Sequence, residues 1–306
     1  MSETAGTAGG RVADPRRDLG FRWFALGPAL LVLVVVGLLP LAYSVWISLQ
    51  RYNLIKPPAV FVGLDNYVSL LGDGRFIHSL VFTVGFASAA TVIEVFVGFI
   101  IAWVLADRQI SGLYSSVIRT LLMIPYMVAP VVMAYIFKTL IYDSSFGYFN
   151  VLLNFFGLPP FTMFEGTLKP IAALLAMDII LRTPFVVLIL YAGISSVSDE
   201  ILEAAAVDGA SALRRIVWIV IPIIRPILAI AFVFRFMDAL KIFDEIYVIT
   251  GGGPGYTTES VSVFASATAF TYFDMGYATA ATIIFCLVVL ALTSLVLRGT
   301  RFEVGR

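Results

Sequence analysis

Five charged side chains crowd a stretch that is otherwise apolar. Arg235, Asp238, Lys241 and Asp244 follow one another at three-residue steps, with Glu245 beside the last. On a helix that spacing puts neighbours on one face, here alternating in sign. Upstream, Asp178 and Arg182 lie one turn apart just before Pro184, and Glu94 stands alone in an apolar run. Carboxylates accept hydrogen bonds from hydroxyls and guanidinium groups donate to them. The charges of the Asp178 and Arg235 stretches could therefore line a polar path for a hydroxylated solute, with Phe185, Phe243 and Tyr247 placed to stack on its apolar faces. The same charges could instead neutralise one another and tie helices together. Arg235 and Asp238 fit the path, Lys241, Asp244 and Glu245 fit the structural role, and Asp178 and Arg182 stay open between the two.

The elements carrying these charges are membrane spans. The chain has 306 residues, 60% hydrophobic and 13% charged, with a mean hydropathy of +0.98. Soluble domains are about half apolar and a quarter charged. Lipid leaves no partner for open strands, so the expected class is an all-α membrane protein. Runs of about 20 apolar residues predict six transmembrane helices: Trp23 to Leu49, Ile77 to Ala106, Val117 to Ile141, Pro170 to Ile194, Ile216 to Ile249 and Gly276 to Leu297. Interior prolines at 40, 125, 130, 184, 222 and 226 invite kinks. A charge at the centre of a span costs about 2.5–3.5 kcal/mol on insertion scales, so the charged stripe must face the bundle interior or a wet cavity.

Other chemistry is poorly supplied. Net charge is zero and no basic patch is interleaved with aromatics, which argues against nucleic acid. Cys286 is the single cysteine and His78 the single histidine, so no metal site is expected. Residues 1–20 are polar and Gly/Ala-rich, read as a disordered cytoplasmic tail ahead of a transmembrane domain over 21–306, with no cleaved signal peptide. Basic residues collect in short cytoplasmic loops. With the N-terminus inside, Arg11, Arg16, Arg17, Arg22, Arg108, Arg119, Arg214, Arg215, Arg298, Arg301 and Arg306 fall inside, against Arg51, Lys56, Arg75 and Lys169 outside. Both termini are then cytoplasmic. The outer loop Gly251 to Ser260, following the fifth span directly, is placed to meet an external partner, with Gly252, Pro254, Tyr256 and Thr258 as candidate contacts.

Between the fourth and fifth spans, on the inner side, runs "EAAAVDGASALRRIVWIVIP", Glu203 to Pro222. Ser198 is placed to cap a helix whose first turn holds Asp199 and Glu200. Asp208-Gly209 should end it, and Ser211 should cap the next. The product is a short helix across the membrane surface, either a connector or a docking element. Glu203-Ala204-Ala205, Gly209 six residues after the Glu, and Ile219-x-Ile221-Pro222 resemble the EAA loop of binding-protein-dependent ABC importer permeases, with Ile221 where Leu is usual. "FVGLDNY", "RTPFVVLILYAGISSVSDEILEAAAVDGAS", "FRFMDALKIFDEIYVITGGGPG" and "FDMGYATA" extend the resemblance to the carbohydrate-uptake subgroup (MalF/UgpA/SugA-like) over roughly residues 22 to 298.

The resemblance implies a type I ABC importer permease fold in a bacterial cytoplasmic (inner) membrane. It also implies a second permease subunit, two ATPase subunits and an extracytoplasmic sugar-binding protein. ATP and Mg would sit on the ATPase partners, with no cofactor on this chain and no catalytic residue. Glu203, Ala204, Ala205, Asp208, Gly209 and Pro222 would couple to the ATPase. Sugar contacts would fall at Ile180, Arg182, Phe185, Arg235, Asp238, Ala239 and Ile242, with Asp178 added from its charge; the maltose-type aromatic positions are here Ile180 and Asp238. "GGGPG" lacks the Lys-Ser/Thr of a phosphate-binding loop and reads as a turn.

Each Arg has a carboxylate within one turn of its own helix, which favours a neutral oligosaccharide or polyol over an anionic sugar or glycerol phosphate. An ion-coupled secondary transporter using Glu94 and the stripe is the competing class, though the two halves show no inverted repeat. An intramembrane hydrolase lacks any matching catalytic motif.

Overall fold

The computed structural model describes residues 24, 26–56, 58–107 and 112–299. The expected tail, Arg108 and both chain ends lie outside these residues. In chain order the helices are α1 (Leu26–Ser48), α2 (Asp65–Leu71), α3 (Gly74–Leu105), α4 (Gly112–Met127), α5 (Pro130–Ile141), α6 (Tyr148–Phe155), α7 (Leu168–Ser195), α8 (Asp199–Val207), α9 (Ala212–Ala239), α10 (Asp244–Ile249), α11 (Val261–Thr271) and α12 (Met275–Gly299). A two-residue antiparallel ribbon, β1 (Gln50–Arg51) against β2 (Val60–Phe61), follows α1.

Helices α1, α3, α7, α9 and α12 are each long and apolar enough to cross a bilayer, and α4 with α5 forms a sixth candidate span bent by 92°. The break corrects the continuous helix expected over Val117 to Ile141. Pro130 opens α5, and Ala129 before it is extended at φ −56°, ψ 134°, the conformation toward which a proline ring biases its predecessor. The fifth span also differs from its expected range: α9 ends at Ala239, and residues 240–243 turn before α10 begins. Asp244 and Glu245 occupy the first turn of α10, where the helix dipole favours negative charge. The charged residues therefore do not form one continuous helical stripe. Pro184 and Pro226, by contrast, are accommodated inside α7 and α9.

The bundle is organised on α3 and α7. Gly98 allows their close approach, since a Cβ there would lie 2.8 Å from Val186 Cγ1. Val186, Val187, Leu190, Val220 and Ile224 form an apolar cluster toward one end, and Met177, Leu181, Ile246 and Ile249 belong to another toward the opposite end. The apolar window of α1 is entirely unburied, an arrangement that lipid tolerates and water does not.

Candidate functional site

Where α3, α7 and α9 converge, a single guanidinium collects three carboxylates. Arg235 on α9 is 2% exposed. Its Nε and Nη2 donate to the two oxygens of Glu94 on α3, and Nη2 also donates to Asp178 Oδ2 on α7. Its Nη1 donates to Asp238 Oδ2 at 3.2 Å. Arg182 on α7 forms a second centre: Nη2 donates to Glu245 Oε1 on α10 at 2.8 Å. Its Nε lies 3.8 Å from Asp178 Oδ1 and 3.9 Å from Asp238 Oδ2. Buried charges persist only when so compensated, because an unpaired one bears several kcal/mol of desolvation. The network ties four helices together at the level where α9 ends.

The network opens into two adjoining hollows. One, of about 180 Å³, is lined by Asp178, Arg182, Arg235, Asp238, Ala239, Lys241, Ile242, Phe243, Asp244 and Glu245. The other, of about 140 Å³, is lined by Tyr126, Arg182, Phe185, Phe234, Arg235 and Asp238. Tyr126 and Phe185 stack there with ring centroids 5.7 Å apart. Asp238 is the open member, with 55% of its side chain exposed. Five carboxylates (Glu94, Asp178, Asp238, Asp244, Glu245) stand against three cations (Arg182, Arg235, Lys241) in and behind the cleft, a formal excess of two negative charges. Such a site offers acceptors to hydroxyl groups and hydrophobic rings to sugar faces.

Of the residues expected along the pathway, Asp178, Arg182, Phe185, Arg235, Asp238, Ala239 and Ile242 line these hollows. Ile180 does not. It is 54% exposed, and two residues from Arg182 is about 200° round a helix, so it faces away. Two network members lie outside the pathway residues expected from the sequence. Glu94 is not alone but is fully buried against Arg235. Glu245, read as structural, pairs with Arg182 and also lines the cleft. The available signal for Glu94 was its cost: an intramembrane carboxylate requires a partner. The pairing within each helix is present but incomplete, because the shorter contacts run between helices.

At one end of the bundle, α8 stands exposed. Ser198 is its N-cap residue, yet its side chain accepts no backbone hydrogen bond, correcting that expectation, whereas Ser211 Oγ accepts from Arg214 N at 3.4 Å. Gly209 ends the helix at φ +80°, and Ala210 N reaches back to Ala205 O at 2.9 Å, a closure that needs a left-handed residue. Glu203, Ala204, Asp208, Gly209 and Pro222 are exposed and Ala205 is half-buried.

At the opposite end, the loop Gly251 to Ser260 folds back on α3. Thr258 is fully buried, and its hydroxyl bonds Thr250 Oγ1 and Gly253 O, each at 2.8 Å. It braces the loop and is not available to a partner, contrary to expectation. Gly252 is also buried, Pro254 is half-buried, and Tyr256 is half exposed. His78 is exposed near this end.

A bundle of apolar spans around a charged cleft, with an exposed helix at one end, is the architecture of a transport permease. The chain belongs to the family described as binding-protein-dependent transport system inner membrane component, whose model matches residues 94–301. It is 34% identical over 290 residues to the trehalose/maltose transport system permease protein MalF of Thermococcus litoralis, covering 94% of this chain and 96% of that protein. It is 34% identical over 294 residues to the trehalose transport system permease protein SugA of Mycobacterium tuberculosis, covering 95% and 91%. A chain of a bacterial alginate ABC transporter, solved in complex with an alginate-bound periplasmic protein, superposes with a TM-score of 0.80 at 20% identity, over 93% of this chain and 96% of that one. The protein is thus an ABC transporter permease of the carbohydrate-uptake group, with the type I importer fold.

Proposed function

We propose that this chain is one permease subunit of an ATP-driven, binding-protein-dependent importer of a neutral oligosaccharide or polyol, and forms half of its translocation pathway. The carboxylate excess around the cleft carries the substrate class. Both guanidinium groups are engaged by carboxylates, and the third cation on the lining, Lys241, is outnumbered there by Asp238, Asp244 and Glu245, so the cleft offers more acceptors for hydroxyl groups than cations for an anionic sugar. Names of two relatives support a sugar such as trehalose or maltose.

In this reading α8 faces the cytoplasm, with both termini on the same side, and docks into one of two ATPase subunits that hold ATP and Mg. This chain hydrolyses nothing. Exposed Val207 and Leu213, on either side of the turn, supply an apolar surface for that contact. A second permease completes the path across a bacterial cytoplasmic membrane, and the sugar-binding protein docks outside, near Tyr256.

The test is ATP-dependent uptake of labelled trehalose or maltose in vesicles holding all partners, with neutral and anionic sugars as competitors. Competition by neutral sugars is expected. Competition by anionic sugars alone, abolished in Arg182→Gln, would contradict the substrate class.

A further inference from the structure

Glu94 takes no part in the pathway as described. It is fully buried on α3 and lines neither hollow, yet it occupies more of Arg235 than any other residue does. Its two oxygens take the Nε–Nη2 edge of the guanidinium side-on. That edge, with its parallel N–H donors, is one of those by which an arginine matches a carboxylate, phosphate or sulfonate bidentately, and the Nη1–Nη2 end is shared by Asp238 and Asp178. What remains toward the cleft is Nη1, bound to the half-open Asp238.

Structural need alone does not explain a third carboxylate. Asp178 and Asp238 already compensate Arg235, and Glu94 adds a further negative charge to an environment where acids outnumber bases. A further buried carboxylate bears its own desolvation cost, which compensation of Arg235 alone does not call for.

We propose that Glu94 is a positioning residue that sets selectivity against anionic sugars: as an internal anion behind the cleft it clamps the Nε–Nη2 edge of Arg235, so that the guanidinium stays drawn back and the cleft presents the Asp238 carboxylate. This inference rests on the neutral-sugar reading above. Specificity then comes from an element that repels the wrong substrate class as well as from contacts to the right one. The relation is one of charge, so aspartate at this position should preserve it and glutamine should not.

The test measures binding of trehalose and trehalose 6-phosphate, a neutral and an anionic sugar of one skeleton, to the detergent-solubilised permease–ATPase complex. The binding protein is omitted so that the permease cleft alone is read, by saturation-transfer NMR. In the wild type trehalose binds the better. In Glu94→Gln the affinity ratio shifts toward trehalose 6-phosphate by about tenfold, the scale of one charge-assisted hydrogen bond, while Glu94→Asp keeps the wild-type ratio. A ratio within twofold of wild type in Glu94→Gln, or an equal shift in both variants, overturns the proposal. So does a Glu94→Gln chain that fails to assemble while Glu94→Asp assembles, since the carboxylate would then serve only to hold the bundle. Binding of neither sugar to any of the three chains also counts against it, because the cleft would not discriminate by itself. A wild type that prefers trehalose 6-phosphate would instead overturn the neutral-sugar reading, and is seen before any variant is made.

Discussion

Arg75 and Glu259, 184 residues apart in the chain, form a two-pronged ion pair, Nε to Oε2 at 2.8 Å and Nη2 to Oε1 at 2.6 Å. Ser79 Oγ donates to the same carboxylate at 3.3 Å, and the Tyr256 ring covers the guanidinium at 4.1 Å. The pair pins the loop Gly251 to Ser260 to the start of α3. Arg75→Ala leaves Glu259 buried without its cation, so the loop should open more often. We expect amide exchange across Gly251 to Ser260 to rise by about tenfold, equivalent to ~1.4 kcal/mol of local stability. Unchanged exchange would show that Thr258 and its neighbours suffice.

The same loop separates two residues by access. A photo-crosslinker at position 256 should label the sugar-binding protein in the nucleotide-bound complex, because Tyr256 is half exposed, whereas position 258 is fully buried and should not. Labelling from other outer segments and none from 256 would remove this loop from the docking face.

Gly209 isolates a conformational effect from a steric one. A Cβ added there meets nothing within 4 Å, yet φ is +80°. Gly209→Val therefore costs about 1–2 kcal/mol or more through the backbone alone, β-branched residues being poorest in this region. The variant should insert and assemble but transport little while its ATPase partners still hydrolyse ATP. Transport at the wild-type rate would contradict a coupling role for the turn after α8.

Asp238 is the cleft's exposed acceptor. Asp238→Asn should retain partial transport because an amide oxygen still accepts from a hydroxyl, and Asp238→Ala should lose far more. The loss would come from the missing substrate acceptor, since Glu94 and Asp178 still compensate Arg235. Initial uptake rates for the two variants check this, and equal rates would place Asp238 outside the path.

The spans were legible because bilayer thickness sets their length, and the turn at Gly209 because few residues adopt its backbone conformation. The breaks at Ala129-Pro130 and at residues 240–243 were not. Pro184 and Pro226 sit inside unbroken helices while Pro130 starts a new one, so a proline signals a possible kink and packing decides its size. In the cleft, i,i+3 and i,i+4 neighbours such as Arg235 with Asp238 and Asp178 with Arg182 could be read from spacing. Arg235 and Glu94 are 141 residues apart, and only the packing of α3 against α7 and α9 brings them together. Ile180 shows the converse, since a matching position along the sequence did not place its side chain in the cleft.

The central claim is most directly tested by the energy source of uptake. In proteoliposomes holding this chain, its permease and ATPase partners and an external sugar-binding protein, labelled neutral sugar should accumulate only with internal ATP and binding protein present. Collapse of an imposed proton gradient should leave the rate unchanged. Accumulation driven by the gradient without ATP would contradict the account and make the charged cleft an ion-coupled pathway.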